Sequence, residues 1–460
     1  MEYTLVITNG QVVMPDAVIT TDLAIQDGKI AAIGTGLTQR AKQVLDAQGQ
    51  MVLPGMIDDH VHINEPGRSN WEDYHTGSQA LAAGGTTTML VMPLNALPAR
   101  TTQTEFDRQA KIAATQSYVD YGLYGGLVPG NVDEISKMAE SGAMGYKAFM
   151  ATTGSDEPGD FKNVDDFRLL SGMRAIAKTG LPILVHAENA AITDGLAAEK
   201  IAQGKTTIQD YVDSRPPFVE IEAVRRAIYL AEQTGVRLHF VHLSTPEAVE
   251  AVVNARRSGL KVTCETCPHY LILDREQFEK IGPLAKCSPA LRDKSIVSRL
   301  WEKVAAGDVD TIGSDHSPAP LSMKQSATHN IFDIWGGISG CQNNVDLLYD
   351  RFVTQRGLPA TEFARLTAEN PAKIFGLTNK GKLQVGYDAD ITLLDLNQSY
   401  VLSKNDMYYK NKISAYEGFQ INDRVTTTIL RGQIIYTLDD GFVGQPTGKQ
   451  LTSQISEVSS

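Results

Sequence analysis

Two histidines at the end of an apolar run are the first residues whose spacing indicates chemistry. Residues 57–63 read Ile-Asp-Asp-His-Val-His-Ile, so His60 and His62 stand two positions apart. In a β-strand, side chains at positions i and i+2 point to the same face, and both imidazoles can then reach one metal ion. Imidazole nitrogens suit zinc and similar divalent ions. The pair therefore predicts part of a metal site.

Four later apolar runs each end near a residue that could complete this site: Lys147, His186, His242 and Asp315. Apolar runs bounded by turn residues predict strands at 57–63, 86–92, 120–127, 144–150, 182–188, 237–243, 261–267 and 309–314. Segments with helical periodicity separate them, which indicates an α/β fold with a parallel sheet. Eight such units without a glycine-rich phosphate turn favour a (β/α)8 TIM-like barrel. Because strand ends converge at the mouth of a barrel, we expect the six side chains to meet there.

The remaining histidines are placed differently along the chain. His75 lies in a helix-like stretch, His329 in a loop, and His239 on the strand face opposite to His242, so we interpret these three as structural. His269 and His316 flank the predicted mouth. For these two a structural role is favoured, and contact with a substrate stays an alternative.

Both ends of the chain predict a second, small domain. The first fifty residues alternate apolar and polar side chains between turn dipeptides such as Asn9-Gly10, and the same pattern returns after about residue 380. Two or three strands alone are marginally stable, so the two ends are expected to fold together as one β-sandwich. The predicted division is 1–53 and 381–447 for the β-sandwich, 54–380 for the barrel, and 448–460 for a flexible tail.

Composition limits the function classes. The 460 residues carry a net charge of −12, which argues against nucleic acid or an anionic membrane surface as a partner. No signal peptide and no membrane-spanning apolar run are recognised. Four cysteines are too few for a disulfide scaffold and are predicted to be buried free thiols, which indicates a cytoplasmic protein.

These motifs resemble those of the cyclic-amidohydrolase branch of the amidohydrolase superfamily. The similar residues span nearly the whole chain: Ile57-Asp-Asp-His-Val-His, Lys147, His186, His242 and Ser314-Asp-His. The resemblance implies two divalent metal ions per subunit, with zinc expected and manganese, cobalt or iron as alternatives. His60, His62 and Asp315 would hold the buried ion, and His186 and His242 the outer one. A homotetramer is also implied.

Two residues have further roles that this resemblance implies. Lys147 would be N6-carboxylated by CO2, and its carbamate would bridge both ions, which requires a neutral amine in a desolvated pocket. Asp315 would be the catalytic group that accepts the proton of the attacking water and passes it to the leaving ring nitrogen. The implied reaction is hydrolytic opening of a cyclic amide in a small-molecule substrate.

Residues around the ligands separate three groups within this branch. Dihydroorotases carry an arginine at the position of Asn64 and an asparagine at that of Ser288. Dihydropyrimidinases and hydantoinases carry a tyrosine at the position of Thr152, and usually a cysteine at that of Ser317. The pattern is most similar to the allantoinase group, which opens the hydantoin ring of allantoin to allantoate in purine and ureide degradation.

The same resemblance implies the substrate contacts and leaves alternatives. Asn64, Thr152, Ser288, Ser317 and the backbone near Gly337 are implied to line the substrate site, although an ordinary flexible turn explains Gly336-Gly337 equally well. A dihydropyrimidinase or hydantoinase stays an alternative. A catalytically inactive amidohydrolase-like scaffold is a third, which the six intact ligand positions disfavour.

Overall fold

A computed structural model describes residues 2–153, 155 and 157–455 of the chain. Each predicted strand region of the central part contains a strand, and further strands lie near both ends. In chain order the strands are β1 Tyr3–Val13, β2 Val18–Gln26, β3 Lys29–Gly34, β4 Ala41–Asp46, β5 Met51–Pro54, β6 Met56–Val61, β7 Thr86–Val91, β8 Asp120–Leu123, β9 Gly125–Gly126, β10 Tyr146–Phe149, β11 Pro182–His186, β12 Arg237–Phe240, β13 Val262–Thr266, β14 Thr311–Ile312, β15 Ile391–Asp395, β16 Tyr400–Val401, β17 Gln420–Ile421, β18 Arg424–Leu430, β19 Gln433–Thr437 and β20 Gly441–Phe442.

Helices follow most of the central strands, as the apolar periodicity predicts. They are α1 Tyr74–Ala83, α2 Gln103–Gln116, α3 Ile135–Glu140, α4 Asp166–Ala177, α5 Ala190–Ala202, α6 Ile208–Asp213, α7 Pro217–Thr234, α8 Pro246–Arg257, α9 Pro268–Ile272, α10 Arg275–Ile281, α11 Lys294–Ala305, α12 Asp346–Tyr349, α13 Ala360–Ala364 and α14 Asn370–Phe375. The local reason is clear at α8, which begins with Pro246 in its first turn and is followed by Gly259 at a φ of 89°.

The central strands pair in parallel, in two sheets. One has the order β6-β7-β8 and the other the order β14-β13-β12-β11-β10-β9. Only Tyr124 separates β8 from β9; its N–H bonds Val91, whereas the N–H of Gly125 bonds Gly145 in the other sheet. At the far edge, Val61 at the end of β6 forms a parallel bridge with His316 beyond β14. Pairing among the described residues is thus a mixed α/β arrangement of two linked parallel sheets, without one continuous closed ladder.

Strands from both ends of the chain form a separate nine-stranded sheet. Its main order is β20-β19-β18-β15-β5-β1-β2-β3, with β4 beside β1. The two chain ends meet where β5 pairs antiparallel with β15. Apolar side chains from both ends, including Leu23, Val52 and Ile429, pack into one buried cluster on this sheet. Neither end could bury this cluster alone, in agreement with the expected composite β-structure.

The segment after residue 447 differs from the flexible tail that the sequence predicts. The N–H of Gly448 bonds the carbonyl of Ser117, that of Leu451 bonds Tyr121, and that of Gln454 bonds Gly376. Residues 448–455 therefore pack along the central part of the chain, held by these backbone hydrogen bonds and by Leu451, which packs against a buried apolar cluster. Residues 456–460 lie outside the described part.

Two further expectations concern cysteines and membranes. Cys264, Cys267, Cys287 and Cys341 are buried free thiols, as predicted. Within the described ranges, no helix combines the length and apolar character needed to cross a membrane.

Candidate metal centre and its cavity

The first group of predicted ligands converges where β6 and β14 end. The Nε2 atoms of His60 and His62 each lie 3.2 Å from Oδ1 of Asp315. Asp315 has a φ of 45° and lies three residues beyond the end of the short strand β14. Two imidazole nitrogens and one carboxylate oxygen around a common point form a donor set that suits a divalent transition metal.

The other ring nitrogens of this pair are already engaged, which defines the tautomers. Nδ1 of His60 donates to Oε1 of Glu265 at 2.9 Å, and Nδ1 of His62 donates to the carbonyl of Leu94 at 2.9 Å. Each imidazole therefore keeps the lone pair of Nε2 free toward Asp315. Burial also lowers the pKa of His60, which favours the neutral, ligating form.

The second group joins β11 to the residues after β12. Nδ1 of His186, the last residue of β11, lies 3.0 Å from Nε2 of His242, whose φ of 45° turns it toward the same side. Nε2 of His186 donates to Glu188 at 2.9 Å. Burial lowers the pKa of both histidines, that of His242 well below its usual range. Two neutral imidazoles with facing nitrogens can share one cation.

Lys147 on β10 lies in the same cavity as both groups. It is fully buried, and its Nζ has no hydrogen-bond partner among the residues that the structure describes. Burial lowers the pKa of its ammonium group to about 8, although the charge of Asp315 opposes this change. An orphaned buried amine is costly unless another group satisfies it, so Lys147 fits a modified, bridging ligand.

All six predicted ligands line one cavity of about 490 Å³. Four predicted substrate contacts also line it: Thr152, Ser288, Ser317 and Gly337. Thr152 Oγ1 donates to Asp194 at 2.6 Å, and Ser288 Oγ lies 2.8 Å from the hydroxyl of Tyr211.

Gly337 is required by close packing. Its φ is 154°, its N–H donates to the carbonyl of Lys286 at 2.8 Å, and a Cβ there would lie 2.5 Å from the carbonyl oxygen of Ser317. These contacts fix the turn at Gly337 and disfavour an ordinary flexible turn for Gly336-Gly337, whereas contact of this backbone with the substrate stays a prediction.

Asn64 differs from its prediction. The structure buries it away from the cavity lining, where its Nδ2 donates to the carbonyl of Pro318 at 3.3 Å and its N–H bonds Glu72. Strand β6 ends at Val61, so the two-residue alternation that would aim Asn64 at the substrate no longer applies there. Asn64 is therefore a structural residue of this loop.

Carboxylates behind the ligands are the functional residues that sequence reasoning missed. Glu265 on β13 accepts from His60 and also from the backbone N–H of His242 at 3.0 Å, so it contacts both ligand groups. Burial opposes its ionisation, but the neighbouring His60 still lowers the pKa of Glu265 to about 2. Asp58 accepts from the backbone of Ser314 at 2.9 Å. An acidic residue at a buried position of an apolar strand was the available signal.

The flanking histidines do not line the cavity. His316 is buried, accepts from the N–H of Gly340 at 3.2 Å and stacks on Tyr409. His269 is also buried, and burial lowers its pKa to about 4. His239 binds the hydroxyl of Thr263 through Nδ1. The structural interpretation therefore fits His316 and His239. Both ring nitrogens of His269 lack a hydrogen-bond partner among the described residues, so its role stays a prediction.

Comparison with known proteins agrees with this site. Residues 51–435 match the amidohydrolase family. Allantoinase of Escherichia coli O139:H28 (strain E24377A / ETEC) is 46% identical over 450 residues, which are 98% of this chain and 98% of that protein. Allantoinase of Escherichia coli (strain SE11) has the same identity and coverage. The chain belongs to the amidohydrolase family, and the resemblance to its cyclic-amide branch is confirmed.

Solved structures give the same family. The L-hydantoinase (dihydropyrimidinase) of Arthrobacter aurescens has a TM-score of 0.94 and 34% identity, and the comparison covers 98% of this chain and 100% of that one. The dihydropyrimidinase of Brevibacillus agri NCHU1002 has a TM-score of 0.90 and 29% identity, over 98% and 99% of the two chains.

Proposed function

We propose that this chain is an allantoinase, which hydrolyses the ring amide of allantoin to allantoate in purine and ureide degradation. The observation that carries the hydrolase chemistry is the convergence of six ligand-type side chains on one cavity. The choice of allantoin is supported by the 46% identity to allantoinases, against 34% to an L-hydantoinase.

The proposed cofactors are two divalent ions, with zinc first. His60, His62 and Asp315 would hold one ion, His186 and His242 the other, and Lys147 as its CO2-derived carbamate would contact both. When bound, the ions supply an activated water and polarise the amide carbonyl. The unpartnered Nζ of Lys147 and the facing lone pairs of the histidines support this assignment.

Asp315 is proposed to move the proton. As a metal ligand Asp315 would be an ionised carboxylate, so the group would start as a proton acceptor. It would take the proton of the attacking water and donate it to the ring nitrogen as the amide bond breaks. Its cavity-facing position between the two imidazoles supports this role.

We propose the remaining architecture in the same way. The parallel strands would form a (β/α)8 barrel over 54–380, with a β-sandwich from 1–53 and 381–447; the Val61–His316 bridge and the hydantoinase neighbours support this. The subunit would assemble as a homotetramer. Four reduced, buried cysteines fit a cytoplasmic enzyme.

A direct comparison of substrates tests the proposal. Purified protein with a full complement of zinc is assayed with allantoin, hydantoin, dihydrouracil and dihydroorotate at equal concentrations. We expect allantoin to have the highest kcat/KM. A preference for hydantoin or dihydrouracil would favour the second candidate, a dihydropyrimidinase or hydantoinase, whereas metal-replete protein that hydrolyses none of them would indicate the inactive scaffold.

A further inference from the structure

One irregular segment, residues 331–337, contributes part of the cavity wall. Six of its residues line the cavity: Phe332, Asp333, Ile334, Trp335, Gly336 and Gly337. Apart from a single 3₁₀ turn at Ile331–Asp333, the segment has no helix or strand. Its carbonyl groups therefore need partners that no sheet or helix supplies.

Lys286 donates hydrogen bonds to several of these carbonyl groups. Its Nζ donates to the carbonyl of Ile331 at 2.8 Å, to that of Phe332 at 3.4 Å and, most closely, to that of Ile334. The carbonyl of Lys286 itself accepts from the N–H of Gly337. One lysine thus binds both ends of the segment.

Lys324 binds the second half of the same segment. Its Nζ donates to the carbonyl of Trp335 at 3.0 Å and to that of Gly337. The carbonyl of the preceding residue, Met323, accepts from the N–H of Trp335 at 3.0 Å. Between them, the two lysines engage five carbonyl groups of one short segment.

The electrostatic setting of these lysines is unusual. Lys286 is 6% exposed and Lys324 4% exposed, and among the described residues the hydrogen bonds of both Nζ atoms go to backbone carbonyls and not to carboxylates. Burial lowers the pKa of each to about 7. An ammonium group has three donors and no acceptor, so a cage of carbonyl oxygens is the arrangement that satisfies it without a counter-charge.

A third buried lysine is instead neutralised by carboxylates. Lys380 is also 6% exposed, but its Nζ pairs with Asp120 at 2.8 Å and with Asp390 at 2.6 Å. Two carboxylates raise its pKa, despite the opposing effect of burial. Lys380 joins the central part of the chain to the terminal sheet and does not line the cavity.

We propose that Lys286 and Lys324 are positioning residues that hold segment 331–337 as the substrate-facing wall of the cavity. The inference rests on the proposed function, because it assigns this wall to recognition of the substrate ring. The segment packs beside two predicted substrate contacts, since a Cβ on Gly336 would lie 3.9 Å from Oγ of Ser288 and one on Gly337 would lie 2.5 Å from the carbonyl oxygen of Ser317. Lys286 also lines the cavity, but every hydrogen bond given for the Nζ of either lysine goes to a carbonyl of the segment, and none goes to a predicted metal ligand among the described residues. The two lysines are therefore assigned to positioning of the segment.

Methionine variants test this role because methionine keeps the length of lysine and removes its donors. Lys286→Met and Lys324→Met are compared with the matched control Lys380→Met, with metal content, melting temperature, KM and kcat measured for each. We expect KM for the best substrate to rise at least tenfold in the first two variants, with zinc content unchanged and kcat altered less than KM. Lys380→Met should lower the melting temperature while KM stays within twofold of wild type.

Failure of the positioning role can be distinguished from failure of the proposed function. If wild-type protein prefers another cyclic amide, the proposed function fails, and the KM comparison is made with that substrate. An unchanged KM in both variants, or a loss of zinc in either, overturns the positioning role. If the variants do not fold, hydrogen exchange of wild-type protein decides: hydantoin should slow exchange of the amides in 331–337, and unaltered exchange there contradicts the inference.

Discussion

The two sides of the cavity are built by different means. On one side, His60 and His186 lie at the ends of parallel strands, and buried carboxylates such as Glu265 and Glu188 orient their rings. On the other side, segment 331–337 lacks regular structure, and side-chain ammonium groups bind its carbonyls. Sheet geometry determines the first side, and individual side-chain contacts determine the second. From the proposed roles we expect that changes on the first side alter metal binding and catalysis, whereas changes on the second side alter substrate binding.

The largest expected effect comes from removing the amine that lies between the two ligand groups. Lys147→Ala should lose metal and reduce kcat by at least about 10³-fold, because the water would no longer be activated. Short carboxylic acids should restore part of the activity by substituting for the carbamate. Metal analysis and hydrolysis assays check both, and a variant that keeps two ions per subunit would contradict the bridging role.

Glu265→Gln tests whether a carboxylate that hydrogen-bonds a predicted metal ligand contributes to zinc affinity. We expect zinc affinity to fall about 10- to 100-fold, since the amide orients His60 less well. Glu220→Gln is the matched control: Glu220 is equally buried, accepts from the backbone and hydroxyl of Ser244, and touches no predicted ligand. Titration with a competing chelator measures both, and equal affinities in the two variants would remove Glu265 from the site.

The pKa of Lys147 gives a pH dependence for assembly of the metal side. Burial lowers this pKa to about 8, and only the neutral amine reacts with CO2, so the reactive fraction increases as pH rises. Metal-free protein mixed with zinc at the same concentration of dissolved CO2 should regain activity roughly 25-fold faster at about pH 8.5 than at about pH 6.5. The time course of returning activity measures this, with Lys147→Ala as the unresponsive control.

The smallest expected effects distinguish Ser288, which lines the cavity, from Asn64, which is buried in the loop after β6. Ser288→Ala should raise KM about threefold, because its hydroxyl lines the cavity beside Tyr211. Asn64→Ala should leave KM unchanged and reduce the free energy of unfolding by about 1 kcal/mol, because it removes the bond to Pro318. Steady-state kinetics and chemical denaturation distinguish them; a raised KM for Asn64→Ala would return that residue to the substrate site.

The sequence predicted the metal-ligand side of the cavity better than the side formed by segment 331–337. His60, His62, His186 and His242 could be predicted because strand alternation and parallel strand ends bring distant residues to one place. Asn64 could not, because the chain leaves the strand before it. The roles of Lys286 and Lys324 depend on which carbonyls an irregular segment presents, and no periodicity encodes that. Residues 448–455 were predicted as a flexible tail from composition, but their order comes from backbone hydrogen bonds.

The most direct test of the metal side is anomalous diffraction from crystals of zinc-loaded protein. We expect two zinc peaks about 3.5–4 Å apart in the cavity. One should contact His60, His62 and Asp315, the other should contact His186 and His242, and density for a modified Lys147 should join them. A single peak, peaks elsewhere, or none in metal-replete protein would contradict the two-ion centre and the hydrolytic chemistry assigned to it.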